Sequence, residues 1–168
     1  LAVVSIPEKS SPPPIALTHG YVLALDDVKD PGNLGTIIRI ADWYGIRHIV
    51  CSAETTDVYN PKVISASMGS FMRVNVHYAD LPAYLSQSKM CIYAAYVNAG
   101  TNIHNTKFGK AGIVLMGSES HGISPDMEQY VSQKINIPSF GSAESLNVSI
   151  SAGIICDNIL RITNMPHV

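Results

Sequence analysis

The sequence predicts an α/β fold in which a mostly parallel β-sheet is flanked by helices. Six short apolar runs, several of them without polar alternation, have the pattern of strands buried on both faces. Segments with a helical spacing of apolar residues lie between these runs. Strands that alternate with helices indicate parallel strand–helix–strand units, and this fold class follows.

The expected elements follow one another along the chain. Strands are expected at residues 21–25, 48–51, 72–76, 91–97, 113–116 with the preceding glycine, and 134–137. Helices are expected at about residues 34–44, 61–69, 81–88, 124–131 and 144–162. Ligands of such sheets bind beyond the carboxyl ends of the strands, so the loops that follow the strands are where functional residues are expected.

Composition limits the class of protein. The chain has 168 residues, of which 46% are hydrophobic and 14% charged, enough for one compact domain with a sizeable core. The formal net charge of −2 argues against an autonomous, strongly basic nucleic-acid-binding domain, because neutralising phosphates needs clustered Lys and Arg. We therefore expect any RNA or DNA contact to be local or to be helped by another domain.

The three cysteines, Cys51, Cys91 and Cys156, are far apart and flanked by apolar residues. They are expected to be reduced core residues of a cytoplasmic protein, with neither a disulfide nor a metal-binding pair. No apolar run approaches the ~20 residues of a membrane span. The N-terminus lacks the basic and then apolar pattern of a signal peptide.

The first loop of interest, "DDVKDPGNLGTIIRIADWYG" at residues 26–45, comes directly after a predicted strand. Its glycine spacing matches neither a dinucleotide-binding turn nor a P-loop. The residues leave two interpretations open. Asp30 and Asn33 can cap the following helix while Arg39 lies on its solvated face, or Asn33 and Arg39 can form a functional pair.

The second loop, "VLMGSESHGIS" at residues 114–124, also follows an apolar strand. Gly117 and Gly122 permit backbone conformations that are closed to other residues, and Glu119 is the only carboxylate between them. Glu119 can be simply solvated in such a turn. His121 is interpreted as a surface loop residue, since no Ser/His/Asp arrangement can be assembled around it from the sequence.

The third loop opens "SFGSAESLNVSISAGIICDNILRI", residues 139–162. Ser142 or Ser145 is expected to cap a helix whose apolar positions recur at helical spacing. A capped, buried helix does not explain why Asn147 and Ser149, which are poor choices for a helix interior, occupy its first turn.

Together the three loops identify a family. The segments "DPGNLGTIIRIADWYG", "VLMGSESHGIS" and "INIPSFGSAESLNVSISAGI", in this order and separation, closely resemble the three motifs of the SpoU/TrmH family. This family belongs to the SPOUT superfamily of S-adenosylmethionine-dependent RNA methyltransferases. The resemblance covers about residues 20–162, which is nearly the whole chain.

The resemblance implies a fold and partners that the patterns alone do not. It implies that the C-terminal part of the domain is threaded into a deep trefoil knot, an exception to the rule that folds are unknotted. It also implies that S-adenosyl-L-methionine binds among the knot loops, that the chain forms a homodimer with its active sites near the interface, and that the substrate is RNA. No metal is implied.

The resemblance also assigns candidate residues. The family's functional polar positions fall on Arg39, Asn33, Glu119, Ser145 and Asn147. The cofactor would be held around Met116, Gly117, Ile137, Leu146, Ser145 and Asn147.

The implied reaction is methyl transfer to a ribose 2′-hydroxyl, most often of ribosomal RNA. Arg39 would lie nearest that hydroxyl, where it orients and stabilises charge, because an arginine is a poor general base. Three other functions stay open: a tRNA 2′-O-methyltransferase of the same family, a catalytically silent RNA-binding module, and an NAD-binding domain.

The N-terminal segment suits the same family. Residues 1–14, "LAVVSIPEKSSPPP", join a short apolar piece to a Ser/Pro stretch with the composition of a linker. Many family members carry an N-terminal RNA-recognition domain. We therefore expect residues 1–19 to be a linker from such a domain and residues 20–168 to be the catalytic domain.

Overall fold

The structure, a computed structural model, describes Pro12 and residues 20–163. Apart from Pro12, the expected linker at residues 1–19 lies outside the described residues. The strands are β1 (Tyr21–Leu25), β2 (His48–Cys51), β3 (Asn75–Tyr78), β4 (Ile92–Tyr96), β5 (Thr101–Asn102), β6 (Gly112–Met116) and β7 (Gln133–Asn136). The α-helices are α1 (Pro31–Trp43), α2 (Pro61–Ser67), α3 (Leu81–Ser86), α4 (Pro125–Glu128) and α5 (Val148–Thr163).

The seven strands form one sheet in the order β3-β2-β1-β6-β4-β7-β5. Every strand pair in this sheet is parallel, so the carboxyl ends of all seven strands lie along one edge. The expected α/β class with a parallel, helix-flanked sheet is confirmed. The order places β6 beside β1, although the two strands are far apart in sequence, and this pairing brings the loops after them together.

Helices cover both faces of the sheet. On one face, α1, α2 and α5 contribute buried side chains to the larger core cluster, and on the other face α3 and α4 contribute to the smaller one. Alternate residues of β1 belong to the two clusters, as a strand buried on both faces requires: Leu23 and Leu25 face the first, Val22 and Ala24 the second.

Helix α1 follows the first of the three loops, and both its start and its packing are well defined. The Asp30 carboxylate accepts a hydrogen bond from the backbone N–H of Asn33 at 2.8 Å, and Pro31 occupies the first helical position. Gly35 lets α1 approach α2 closely, because a Cβ there would lie 2.6 Å from the Cβ of Ala66. Asp30 therefore caps α1, as the first of the two interpretations predicts. The side chain of Asn33 does not cap the helix.

The predicted start of α5 is wrong. The helix begins at Val148 rather than at residue 144, and neither Ser142 nor Ser145 caps it. Instead, the side-chain oxygen of Asn147 accepts the backbone N–H of Ser149 at 2.9 Å and that of Ile150 at 3.4 Å. Asn147 thus stands just before the helix, where an amide oxygen is favourable, and its presence in this segment is explained.

Several other boundaries differ from the expectation. The strand expected at residues 72–76 starts at Asn75, because left-handed Met68 and Gly69 lead into a 3-10 turn at Ser70–Met72. The helix expected at residues 124–131 ends at Glu128. The two-residue strand β5 was not predicted, and it is too short to leave a periodic signal.

The cysteines lie as expected, since Cys51 and Cys156 are buried and all three are free thiols. Burial raises the pKa of the Cys156 thiol to about 12 and that of Cys51 further still, so both stay protonated and unreactive. A search of the described residues finds no helix long and apolar enough to cross a membrane.

Candidate active site

Three loops meet at the carboxyl edge of the sheet. They follow β1, β6 and β7, and they are the segments in which the candidate residues were placed from the sequence. The parallel pairing of β1 with β6 sets Leu25 beside Met116, so the chains leaving these two strands start next to each other. The backbone N–H of Asp26 continues the pairing by donating to the Met116 carbonyl at 2.9 Å.

The loop after β6 is a tight turn. Ser118 and Gly122 pair as an isolated antiparallel bridge, with N–H···O distances of 2.9 Å in both directions. Gly117 makes this closure possible, because a Cβ at Gly117 would lie 2.2 Å from the carbonyl carbon of Gly122. The turn presents the three side chains between its ends, Glu119, Ser120 and His121, toward the neighbouring loops.

Asn33 links the turn to the segment before α5. Its amide nitrogen donates to the Glu119 carboxylate at 2.5 Å, and its amide oxygen accepts from the amide nitrogen of Asn147 at 2.9 Å. The Asn147 oxygen in turn accepts from the Ser149 hydroxyl at 2.6 Å. The structure therefore brings three of the five candidate polar residues into one hydrogen-bonded chain.

Arg39 and Ser145 lie outside that chain of hydrogen bonds. The side chain of Arg39 is exposed, and no hydrogen bond or ion pair joins it to another residue of the described chain. Ser145 is exposed on the wall of the larger cavity and has no hydrogen-bond partner among the residues at 20–163. Both side chains are thus left available for a ligand, and their roles stay predictions.

Two cavities lie side by side at this edge. The larger has a volume of about 990 Å³, and its apolar lining includes four of the candidate or neighbouring side chains: Met116, Ile135, Ile137 and Leu146. The smaller has a volume of about 570 Å³ and is lined by polar residues, among them Lys29, Asp30 and Asn33. The two cavities share four lining residues: Ser118, Glu119, Ser120 and Asn147.

The structure places Ser120 and Asp27 on either side of His121, an arrangement that could not be assembled from the sequence. One ring nitrogen of His121, Nδ1, lies 2.9 Å from the Ser120 hydroxyl, and the other, Nε2, lies 3.5 Å from the carboxylate of Asp27. This contact joins two loops that are far apart in the sequence and that the pairing of β1 with β6 brings together. Asp27 has a left-handed backbone conformation, with φ of 58°. His121 is nevertheless half exposed, as expected of a loop residue.

The arrangement can bind a mixed ligand set without a metal ion. Within the described residues, no group of three or more His, Cys, Asp or Glu side chains is positioned to hold a metal. The apolar cavity suits a flat or aliphatic group, whereas the polar cavity presents amide, hydroxyl and carboxylate groups. Two reacting molecules bound in these cavities would meet at the four shared residues.

Comparison with known proteins yields a family match and similar chains. The family model described as "SpoU rRNA Methylase family" matches residues 20–157. The 23S rRNA (guanosine(2553)-2′-O)-methyltransferase RlmP of Bacillus subtilis is 31% identical over 157 residues, which cover 92% of this chain and 61% of that protein. The chain spans between 53% and 66% of the length of the first three curated relatives it matches.

Solved structures are similar in fold and sequence. A TrmH-family protein of Porphyromonas gingivalis matches with a TM-score of 0.82 and 37% identity, over 92% of this chain and 63% of that one. An AdoMet-bound rRNA methyltransferase of Sinorhizobium meliloti matches with a TM-score of 0.81 and 30% identity, over 88% of this chain and 60% of that one.

Proposed function

Because this chain belongs to the SpoU rRNA methylase family, we propose that it transfers a methyl group from S-adenosylmethionine to the 2′-hydroxyl of a ribose in RNA. The observation that carries the proposal is the pair of adjoining cavities, one apolar and one polar, with Ser118, Glu119, Ser120 and Asn147 between them. A methyl donor in one and a ribose in the other would be held in contact, which is the main requirement of a direct transfer.

The larger cavity fits the methyl donor. Its volume of about 990 Å³ accommodates a nucleoside with an amino-acid arm, and its apolar walls at Met116, Ile137 and Leu146 suit a purine ring. The close turn at Gly117 leaves backbone groups, rather than a side chain, facing this space. When bound, S-adenosylmethionine supplies an activated methyl group on a sulfonium. Met116, Gly117, Ile137, Ser145, Leu146 and Asn147 are the residues that would hold it.

The smaller cavity fits the ribose. The chain of hydrogen bonds from Glu119 through Asn33 to Asn147 fixes polar groups along its wall. Arg39 is the proposed positioning and charge-stabilising residue, since its guanidinium is always protonated and has no acceptor atom. No partner for its guanidinium lies within the described part of the chain, which supports this role because such a cation is available to a phosphate or a developing negative charge.

The proposed substrate is ribosomal RNA. RlmP of Bacillus subtilis, 31% identical over most of this chain, is named for action on 23S rRNA. A ribosomal RNA substrate would place the protein in the cytoplasm. The net charge of −2 fits a catalytic domain that obtains part of its RNA affinity from another part of a longer protein.

We propose the knotted topology of the family for the C-terminal part of the fold. The chain leaves β7 on one side of the sheet, runs along the larger cavity, and returns as α5 to pack against α1. The turn at residues 118–122 and the segment at residues 137–147 both border that cavity. The support for a knot is the family to which the chain belongs, and a knot in this part would hold the loops of the site rigid.

We also propose a homodimer through α1 and α5. Both helices carry large apolar side chains that are exposed in the single chain: Trp43 is 83% exposed, Ile150 53% and Ile162 38%. The two helices pack on each other. Large apolar side chains left exposed on adjoining helices support an interaction site there.

The test of the function uses the 168-residue chain and two assays. Titration calorimetry with S-adenosylmethionine measures binding, and transfer of a labelled methyl group to unmodified ribosomal RNA measures catalysis. We expect saturable binding and label in 2′-O-methylated nucleosides after nuclease digestion. Transfer RNA serves as the comparison substrate.

The outcomes separate the alternatives. Methyl label found only in transfer RNA would show that the substrate is transfer RNA rather than ribosomal RNA. RNA binding without cofactor binding, by a folded chain, would identify a silent RNA-binding module instead. Binding of NAD in place of S-adenosylmethionine would contradict the family's reaction altogether.

A further inference from the structure

A row of neighbouring hydroxyl and imidazole groups extends from the junction of the two cavities. The Ser118 hydroxyl lies 3.0 Å from the Ser120 hydroxyl, which lies 2.9 Å from Nδ1 of His121. The opposite ring nitrogen, Nε2, lies 3.5 Å from the Asp27 carboxylate. Ser118, Ser120 and His121 thus form a hydrogen-bonded path along which a proton can pass, and Asp27 lies beside its last member.

The path starts where the reacting groups would meet. Ser118 is buried, and both Ser118 and Ser120 line the two cavities. His121 lines the larger cavity, and its half-exposed side chain also reaches solvent. The path therefore connects a buried hydroxyl at the junction with an imidazole in contact with water.

The proposed reaction releases a proton that needs an acceptor. A bond forms between the hydroxyl oxygen and the methyl carbon, the carbon–sulfur bond breaks with its electron pair kept by sulfur, and the hydroxyl proton leaves. Arg39 cannot take this proton because a guanidinium has no free acceptor atom. Glu119 accepts the Asn33 amide at 2.5 Å through one carboxylate oxygen and so also fixes the wall of the cavity.

We propose that Ser118, Ser120, His121 and Asp27 form the exit path for that proton. This inference rests on the proposed methyl transfer. The ribose proton passes to the Ser118 oxygen, the Ser118 proton passes to Ser120, and the Ser120 proton passes to Nδ1 of His121. The Asp27 carboxylate then stabilises the imidazolium, which releases its proton to water. His121 acts through the two serines and is therefore a positioning and relay residue.

The backbone of Asp27 supports a dedicated role. Asp27 is one of two residues other than glycine with a left-handed backbone among those described, a conformation that costs free energy. Its side chain is 13% exposed, and its Oδ1 atom is buried without a hydrogen-bond partner in the described chain. The charged groups around the pair are Lys29, 3.3 Å from the same carboxylate, and Glu119, two residues before His121.

The first test compares single-turnover methylation by wild type and His121→Gln over a range of pH. Glutamine keeps the size and polarity but cannot carry the proton, so we expect a rate lower by about 100-fold and loss of the rate's dependence on pH. Affinity for S-adenosylmethionine should stay within twofold of wild type. The matched control is His104→Gln, because His104 is exposed, hydrogen-bonded to Asn158, and outside both cavities.

The second test needs neither cofactor nor RNA. Nitrogen–proton correlation spectra of the imidazoles in the free protein report which ring nitrogen is protonated. We expect His121 to carry its proton on Nε2, facing Asp27, and to lose this preference in Asp27→Gly, while the spectrum of His104 stays unchanged. Glycine removes the acceptor and adopts the left-handed backbone of residue 27 without strain. A His121 tautomer that is unaffected by Asp27→Gly would overturn the contact on which the path depends.

The two tests separate this inference from the proposed function. Wild type that methylates RNA, together with His121→Gln that keeps the wild-type rate and pH profile, would overturn the proton path and leave the function standing. A His121→Gln variant that loses cofactor affinity would show a binding role and would also overturn it. Wild type that binds no S-adenosylmethionine would remove the function itself, and the proton path with it.

Discussion

Asn33 and Glu119 are 86 residues apart in the sequence, yet the Asn33 amide nitrogen lies 2.5 Å from the Glu119 carboxylate. The contact exists because parallel pairing of β1 with β6 starts the two loops side by side. Asp30 fixes the first turn of α1 by accepting a hydrogen bond from the Asn33 backbone. The Ser118–Gly122 bridge fixes the turn that carries Glu119. Two locally rigid segments therefore hold this hydrogen bond at the junction of the cavities.

Asn33→Asp tests this contact. An aspartate cannot donate to Glu119, and it sets two carboxylates against each other, so the wall of the smaller cavity should open. We expect methyl transfer to fall by about 100-fold, as displacements of about 1 Å at an active site do. Single-turnover rates measure the effect. Asn105→Asp, which adds the same charge at an exposed position away from the cavities, should keep the wild-type rate.

Arg39→Ala should separate catalysis from cofactor binding. Arg39 lines neither cavity in the free chain and has no protein partner among the described residues, so its removal should leave the affinity for S-adenosylmethionine unchanged. Methylation should fall by at least about 100-fold, as it does when a group that stabilises developing charge is removed. Calorimetry and methylation assays measure the two effects.

The control for Arg39 is Arg47→Ala. Arg47 is also exposed, but it precedes β2 and lies at the amino edge of the sheet, opposite the site. This variant should methylate normally. A large loss of cofactor affinity in Arg39→Ala would contradict the role proposed for Arg39.

Gly117→Ala should open the turn after β6. The new methyl group would lie 2.2 Å from the carbonyl carbon of Gly122, so the turn must shift, at a cost of about 1–3 kcal/mol in the free energy of unfolding. Cofactor affinity should fall with it, because the turn lines the larger cavity. Urea unfolding and calorimetry measure the two effects. Gly141→Ala, where a Cβ meets nothing within 4 Å, is the control.

Trp43→Glu tests the proposed dimer. A carboxylate in place of an 83% exposed indole would be buried in an interface formed by α1 and α5, and this is unfavourable. Light scattering after size-exclusion chromatography should show a dimer for wild type and a monomer for the variant. Met72→Glu, which changes an equally apolar and 79% exposed side chain on the 3-10 turn, should remain dimeric. A monomeric wild type would refute the dimer.

The free energy of unfolding should depend on pH through His48. Burial, together with the neighbouring His77 and Arg47, lowers the pKa of His48 from its usual 6.5. Below about pH 6.5 the unfolded chain binds a proton at His48 more readily than the folded chain does. The contribution of His48 to the free energy of unfolding is therefore fully present above about pH 6.5 and is lost as the pH drops below it. Urea unfolding at pH 7.5 and 5.5 measures the slope. His48→Gln should reduce this slope.

The sequence alone predicted the order of the elements and the edge of the sheet that carries the site. Apolar runs such as residues 21–25 determine a buried strand by their composition, and the loops after such strands must share one edge. The start of α5 was missed because Asn147 and Ser145 are both good caps, and only the fold decides between them. The contact between His121 and Asp27 was missed because the two residues are far apart in the sequence and only the pairing of β1 with β6 brings their loops together.

The side chain of Asn147 has two structural roles. Its oxygen begins α5, and its nitrogen holds Asn33 in the wall of the smaller cavity. Aspartate or serine would serve the helix as well, but neither offers a nitrogen donor to Asn33, whereas glutamine would offer the donor at the wrong reach. Few substitutions at this position can therefore meet both demands, and a protein that lost the reaction would be expected to keep a helix cap here while losing the amide.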